Sequence, residues 1–177
     1  PSDATVFRGI VQFDYRKGSV LNELGPCPNM KILIYDCGGE IDTMQFNSRQ
    51  DIVALQRANE PEIRRAAALF LDGLHSQSLT QIGKAATMSA LANQSILFKG
   101  QLPRFWEEGS AAGGLGVIAA HSGTVLGLIL PPEADENQVR LRISRAFQTG
   151  LSWLDCVSVT NEGLTYKECD SYDFPEQ

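Results

Sequence analysis

The sequence predicts an α+β fold, a mainly antiparallel sheet with helices covering one side of it. Two observations carry that expectation. The composition, 43% hydrophobic and 20% charged over 177 residues, is that of an ordinary globular chain. The patterning runs in the order strands, a block of helices, two strands, a helix and two strands, which is the order of a layered fold and not of a bundle or a barrel. A chain of this length buries roughly 70% of the surface it would expose unfolded, so it needs neither a disulfide nor a metal to hold it together.

Taken in order, residues 5–25 alternate apolar and polar positions around Ile10, Phe13 and Tyr15, and Lys17-Gly18 marks a turn, so a hairpin opens the chain. Residues 30–36 contain Ile32-Leu33-Ile34-Tyr35, a β-branched and aromatic run that reads as a buried strand ending at Gly38-Gly39. From Ser48 to Gln101 the period becomes helical. Ser48 is the expected cap, and Ile52, Leu55 and Ala58 the first apolar positions. The clearest helix is expected over 61–75, with Pro61 as its first residue and Ile63, Ala66, Ala67, Phe70, Leu71 and Leu74 on one face. Further helices are expected over 78–95 and 103–110. A glycine-rich bend, Ala111-Ala112-Gly113-Gly114-Leu115-Gly116, then leads into two strands that meet at His121-Ser122-Gly123. Residues 134–147 read as an amphipathic helix facing inward through Val139, Ile143 and Phe147. Residues 156–159 and 164–166 read as a closing pair of strands, followed by an acidic tail over 171–177.

Several functions are disfavoured at once. With 15 Lys and Arg against 21 Asp and Glu the net charge is −6, so no overall positive field draws the chain to nucleic acid or to an anionic membrane. No apolar run approaches the roughly 20 residues of a membrane-spanning helix. Cys27, Cys37, Cys156 and Cys169 include no Cys-x-x-Cys pair, and two histidines do not complete a zinc site at a recognisable spacing, so no metal ligands are assigned and reduced cytoplasmic thiols are expected. The opening Pro1-Ser2-Asp3 has neither the basic start nor the apolar stretch of a signal peptide and reads as the middle of a longer chain.

Four places offer chemistry. The 113–116 glycines could let backbone amides cradle an anion, or could simply permit turns and tight packing. His121, beside Ser122, Gly123 and Thr124, could hold a carboxylate or phosphate or move a proton, or could be structural. Asp3 could be a general base or a cap, and Asp42 and Thr43 sit in a strand-end loop where polar groups meet ligands or merely water. No Gly-Lys-Ser/Thr follows the glycines, so they are not a Walker loop.

Two stretches go further. The run Pro1-Ser2-Asp3-Ala4-Thr5-Val6-Phe7, continuing to Gln12-Phe13-Asp14, and the run Ala120-His121-Ser122-Gly123-Thr124-Val125-Leu126-Gly127 resemble segments of the C-terminal half of the GHMP small-molecule kinases. The stretch from Lys84 to Gln94 is similar to the central helix of that half. Within the family, the branch acting on L-threonine in propanediol utilisation and cobalamin synthesis is the most similar. The resemblance implies transfer of the γ-phosphoryl group of ATP, with Mg²⁺, to a hydroxyl-bearing small molecule, L-threonine first among the acceptors. It implies Asp3 as the acidic residue that orients or deprotonates the acceptor hydroxyl, although here Ser2 precedes Asp3 directly where the family has intervening residues. His121, Ser122, Gly123 and Thr124, with Asp42 and Thr43, would hold the acceptor or its phosphate.

The family's glycine- and serine-rich ATP loop belongs to an N-terminal nucleotide-binding domain, which these 177 residues do not contain. They are therefore expected to form a single C-terminal domain, inactive alone, whose partners are that domain and the small-molecule acceptor. Its docking face would be exposed, and the isolated chain could form a homodimer through it. The rival expectations are a non-catalytic amino-acid sensor or regulatory module, and a subunit that completes a kinase in trans.

Overall fold

The computed structural model of the chain describes residues 2–14, 16–39, 49–121 and 123–165. They fall into two compact units, one formed by Pro1–Cys27 with Thr160–Gln177 and the other by Pro28–Val159.

In the smaller unit a 3-10 turn, Ser2–Val6, precedes β1 (Ile10–Asp14), which pairs antiparallel with β2 (Ser19–Gly25) as the alternation predicts. Asp14 shapes the turn between them. Its Oδ1 accepts from the amides of Arg16 and Lys17 at 3.0 and 3.2 Å, and its carbonyl accepts from Gly18 at 2.8 Å. Asn161 fastens the returning chain to this unit. Its side chain both accepts from the Cys27 amide and donates to the Cys27 carbonyl, each at 2.9 Å, while its own carbonyl accepts from Gly9 at 3.0 Å. These bonds explain why the expected closing pair over 156–159 and 164–166 does not form. The Leu164 amide donates to Val6 instead, and Tyr166 lies outside the described residues.

The larger unit is a four-stranded, wholly antiparallel sheet in the order β4-β5-β3-β6, built from β3 (Lys31–Asp36), β4 (Gly116–Ala119), β5 (Val125–Leu130) and β6 (Ser152–Ser158). Register explains its two faces. Val117, Leu128, Leu33 and Cys156 lie opposite one another across the four strands, and Leu126, Tyr35 and Trp153 align in the next row. Because cross-strand partners point the same way, these rows form one apolar face. Onto it pack Ala90, Leu102, Phe105, Val139 and Ile143 from three helices, with Leu33, Leu102, Phe105 and Leu128 fully buried. The expected class, an antiparallel sheet covered by helices, is the one observed.

The described residues hold four α-helices, α1 (Ile52–His75), α2 (Leu79–Ala92), α3 (Leu102–Ala111) and α4 (Glu136–Ala146); α2, α3 and α4 contribute to that core, and α1 packs on α2. Ser78 caps α2 by accepting from Gln81 at 3.3 Å, and Asp135 caps α4 by accepting from Asn137 and Gln138. The start of α1 corrects the sequence reading. Pro61 is not the first residue of a helix but lies inside one that begins at Ile52 after Asp51, and Ser48 lies outside the described residues. Proline removes one backbone donor there, and the helix continues through it to His75.

Helix α2 covers the edge strand β4 at very close range. A Cβ on Gly116 would come within 2.0 Å of the Gly83 carbonyl oxygen, so both positions need a hydrogen in place of a side chain. Beside this contact Thr87 is buried. Its hydroxyl donates to the Gly83 carbonyl at 2.9 Å and accepts from the Val117 amide at 3.0 Å, which satisfies an edge-strand donor that no strand can reach.

Candidate functional site

The glycine-rich bend is built for packing and not for an anion. The amides of Ala112, Gly113, Gly114 and Leu115 all donate to protein carbonyls, those of Glu108 and Gly109, Ser110, Gly109 and Ile129, at 2.8 to 3.1 Å. No amide of that run is left to face a ligand, so of the two readings of the bend the structural one holds.

The residues that the sequence singled out are distributed between the two units. Asp3 lies on the 3-10 turn of the smaller unit, and its side chain is outside the described positions, as are Asp42, Thr43 and Ser122. His121, Gly123 and Thr124 lie together between β4 and β5 of the larger unit, where the Ala120 amide donates to Val125 at 2.9 Å. Thr124 is committed to the end of β3. Its carbonyl accepts from the Cys37 amide at 2.9 Å and its hydroxyl bonds to the Asp36 carboxylate. That bond, with a second from the Gly38 amide at 3.0 Å, holds Asp36 below the usual carboxylate range.

Sequence reading passed over a lysine that supports this turn. Lys99 is only 5% exposed. Its backbone is clamped by Gln94, which accepts from its amide at 2.7 Å and donates to its carbonyl at 2.9 Å, and its Nζ donates to the Ala120 carbonyl at 2.7 Å. Among the described residues it forms no ion pair. Burial therefore pushes the Lys99 ammonium down from its ordinary value, with Cys37 pulling weakly the other way, and pushes the Cys37 thiol up. The same withdrawal from water, followed by the Lys99 charge, lowers His121 below its ordinary value. Both causes favour the neutral imidazole, which can donate from one ring nitrogen and accept at the other.

His121 also lines a cleft of about 490 Å³ whose other walls come from α1 and the turn after α2. Val53, Arg57, Glu60 and Ile63 lie at steps of three and four along one side of α1, so all meet the cleft. Two side chains fix α1 against the opposite wall. Arg49 donates to Asp51 from Nε and Nη2 in a bidentate pair, at 3.0 and 2.7 Å, and from Nη1 to the Ile96 carbonyl at 2.6 Å. Asn59 donates to the Ala92 carbonyl and to the Ser95 hydroxyl, at 2.7 and 2.8 Å. The polar lining is not all satisfied. Asn93 is 7% exposed, and its amide nitrogen has no hydrogen-bond partner among the described residues. Arg57 forms no ion pair among the described residues, whereas Glu60 pairs with Arg64 at 2.6 Å. No sequence signal marks Asn93, since its burial follows from how α2 ends. The spacing of Arg57 and Glu60 was visible, but it reads equally well as a solvated helix face.

Among the described residues no group of three or more His, Cys, Asp or Glu is placed to hold a metal ion, and no helix is long and apolar enough to cross a membrane.

No protein-family model matches the chain. Two curated relatives do. One is an L-threonine kinase from Citrobacter freundii, 30% identical over 130 residues, and the other an L-threonine kinase from Salmonella typhimurium, 26% identical over 133. Each match takes in 73% of this chain but only 45% and 43% of the relative, so the chain spans less than half the length of either. In fold the chain is similar to L. major mevalonate kinase, with a TM-score of 0.63 at 11% identity over 88% of this chain and 50% of that one. It is also similar to homoserine kinase from Cytophaga hutchinsonii, with a TM-score of 0.52 at 16% identity over 89% and 50%. In sequence, then, the chain is homologous to L-threonine kinases, and in fold it is a domain of the GHMP kinase C-terminal type.

Proposed function

We propose that this chain serves as the C-terminal domain of a cytoplasmic, ATP-dependent small-molecule kinase whose acceptor is L-threonine and whose product is O-phospho-L-threonine. Its homology to two L-threonine kinases over 73% of its length carries this reading. The cleft beside His121 supports it, being of metabolite size and lined by both polar and apolar side chains.

Phosphoryl transfer is governed by positioning and charge. In this reading a nucleotide-binding domain, packed against the present one, brings ATP with Mg²⁺. The bond from the γ-phosphorus to the ADP oxygen breaks, a bond to the threonine hydroxyl oxygen forms, and Asp3 takes or orients the hydroxyl proton. His121 and Gly123, with Ser122, Asp42 and Thr43, form the acceptor's surroundings. Thr124, whose hydroxyl bonds to Asp36, stands with them in the acceptor's surroundings.

The test is phosphorus NMR of ATP, Mg²⁺ and L-threonine with two proteins: the 177-residue chain, and a protein joining it to a nucleotide-binding domain of the homologous kinases. The expected result is O-phospho-L-threonine from the joined protein and none from the chain alone. Tight threonine binding without transfer by either would overturn the reading in favour of an amino-acid sensor.

A further inference from the structure

We infer that Lys99 is a positioning residue for the His121 cleft: from inside the fold it fixes the peptide that carries His121, and Gln94 ties it to the opposite wall. The bond from Lys99 falls at an informative place. Its Nζ donates to the Ala120 carbonyl at 2.7 Å, and that carbonyl belongs to the peptide unit whose nitrogen is that of His121. A peptide unit is planar, so holding its oxygen sets the direction in which the His121 backbone leaves β4, and with it the reach of the imidazole. The Ala120 amide is held in turn by the Val125 carbonyl at 2.9 Å. Just ahead of His121 the chain is therefore fastened at two successive peptide units.

The other end of the link lies at the cleft as well. Gln94 belongs to the 3-10 turn Asn93–Ser95, which gives Asn93 to the cleft and is followed by Ile96. Its side chain clamps the Lys99 backbone, accepting from the amide at 2.7 Å and donating to the carbonyl at 2.9 Å. The same turn is bonded to α1 through Asn59, which donates to the Ala92 carbonyl and the Ser95 hydroxyl. One run of bonds thus passes from α1 through the turn to Lys99 and on to the peptide of His121, joining the three walls of the cleft.

Packing alone does not call for a lysine here. The side chain is buried, and among the described residues no carboxylate pairs with it. Withdrawing an ammonium from water without a counter-ion costs stability that a methionine in its place would not. What the lysine supplies is a long stem and a strong donor, delivered to one carbonyl. Its charge also acts on the imidazole next to that carbonyl, so the two groups are neighbours electrostatically as well as along the chain.

Two measurements test this role, one on the chain and one on the protein joining it to a nucleotide-binding domain. In carbon-edited NMR of the 177-residue chain at about pH 9, where a histidine is neutral, Lys99→Met should move the His121 ring resonances and leave those of the exposed His75 in place. The kinetic consequence rests on the acceptor reading above. In the joined protein Lys99→Met should raise the KM for L-threonine about threefold or more with the KM for ATP unchanged, and should add nothing further once His121 is replaced by Asn. Gln94→Glu keeps the acceptor for the Lys99 amide and loses the donor to its carbonyl, so it should move both readouts the same way by less, and it decides the matter if Lys99→Met does not fold. Unmoved His121 resonances, His75 resonances that move with them, a fall in kcat with KM unaltered, or a rise in KM that multiplies in full with that of His121→Asn would overturn the positioning role. If the joined protein transfers no phosphoryl group to threonine, the acceptor reading fails, and the two histidine signals still decide whether Lys99 positions His121.

Discussion

At the scale of single residues, the turn between β4 and β5 is governed by one buried cation. Lys99 gives its Nζ to the Ala120 carbonyl at 2.7 Å and, through its charge, adds to the lowering of the His121 pKa. Replacing Lys99 by Met removes that charge while retaining an unbranched apolar stem. Its expected effect is a rise of the His121 pKa toward the ordinary histidine value of about 6.5, read by proton NMR titration. The rise stops short of that value because withdrawal from water, the larger cause, remains. A fall, or no change, would show that Lys99 does not act on the imidazole. The sequence made His121 visible because a histidine among glycine, serine and threonine at a strand end is an uncommon grouping. It hid Lys99, since an isolated lysine reads as a solvated one until the fold shows what covers it.

At the scale of elements, the contact between α2 and β4 joins the helical block to the sheet. Thr87 is its polar centre, serving a helix carbonyl and a strand amide with one hydroxyl. Thr87→Val keeps the shape and leaves the buried Val117 amide without an acceptor, so an unfolding stability lower by about 1–3 kcal/mol is expected in urea. A loss below about 0.5 kcal/mol would mean that water or a shifted backbone takes over the bond. Most elements were legible, because hydrophobic period and capping residues are local: β1, β2, β3 and α4 fall close to where alternation, apolar runs and helical spacing place them. The two misplacements have non-local causes. Pro61 carries the same local signal whether it opens a helix or interrupts one, and only contacts elsewhere along α1 decide between them. The partner of the last strand is β3 and not the segment that follows it, because Asn161 ties that segment to Cys27 and Gly9.

At the scale of the whole molecule, the fold class was legible in the order of elements, and the resemblance to a kinase family in two short motifs. The cleft was not, because it joins residues on α1, the turn after α2 and the β4–β5 turn, which lie far apart in sequence and meet only through tertiary contacts such as the Arg49, Asn59 and Lys99 bonds. The net charge of −6 leaves the chain without an overall positive field for nucleic acid or an anionic membrane. Large apolar side chains such as Phe98, 75% exposed, and Leu91, 48% exposed, are available for the proposed partner domain.

If the His121 cleft receives the phosphoryl acceptor and not the nucleotide, His121→Asn alters one substrate's kinetics and spares the other's. Steady-state kinetics of this variant, in the protein joining this domain to a nucleotide-binding domain, should show a KM for L-threonine raised about tenfold, equivalent to about 1.4 kcal/mol of lost binding, with the KM for ATP unchanged. A raised KM for ATP with that for threonine unaltered would place His121 on the phosphate side and rule out the cleft as the acceptor site.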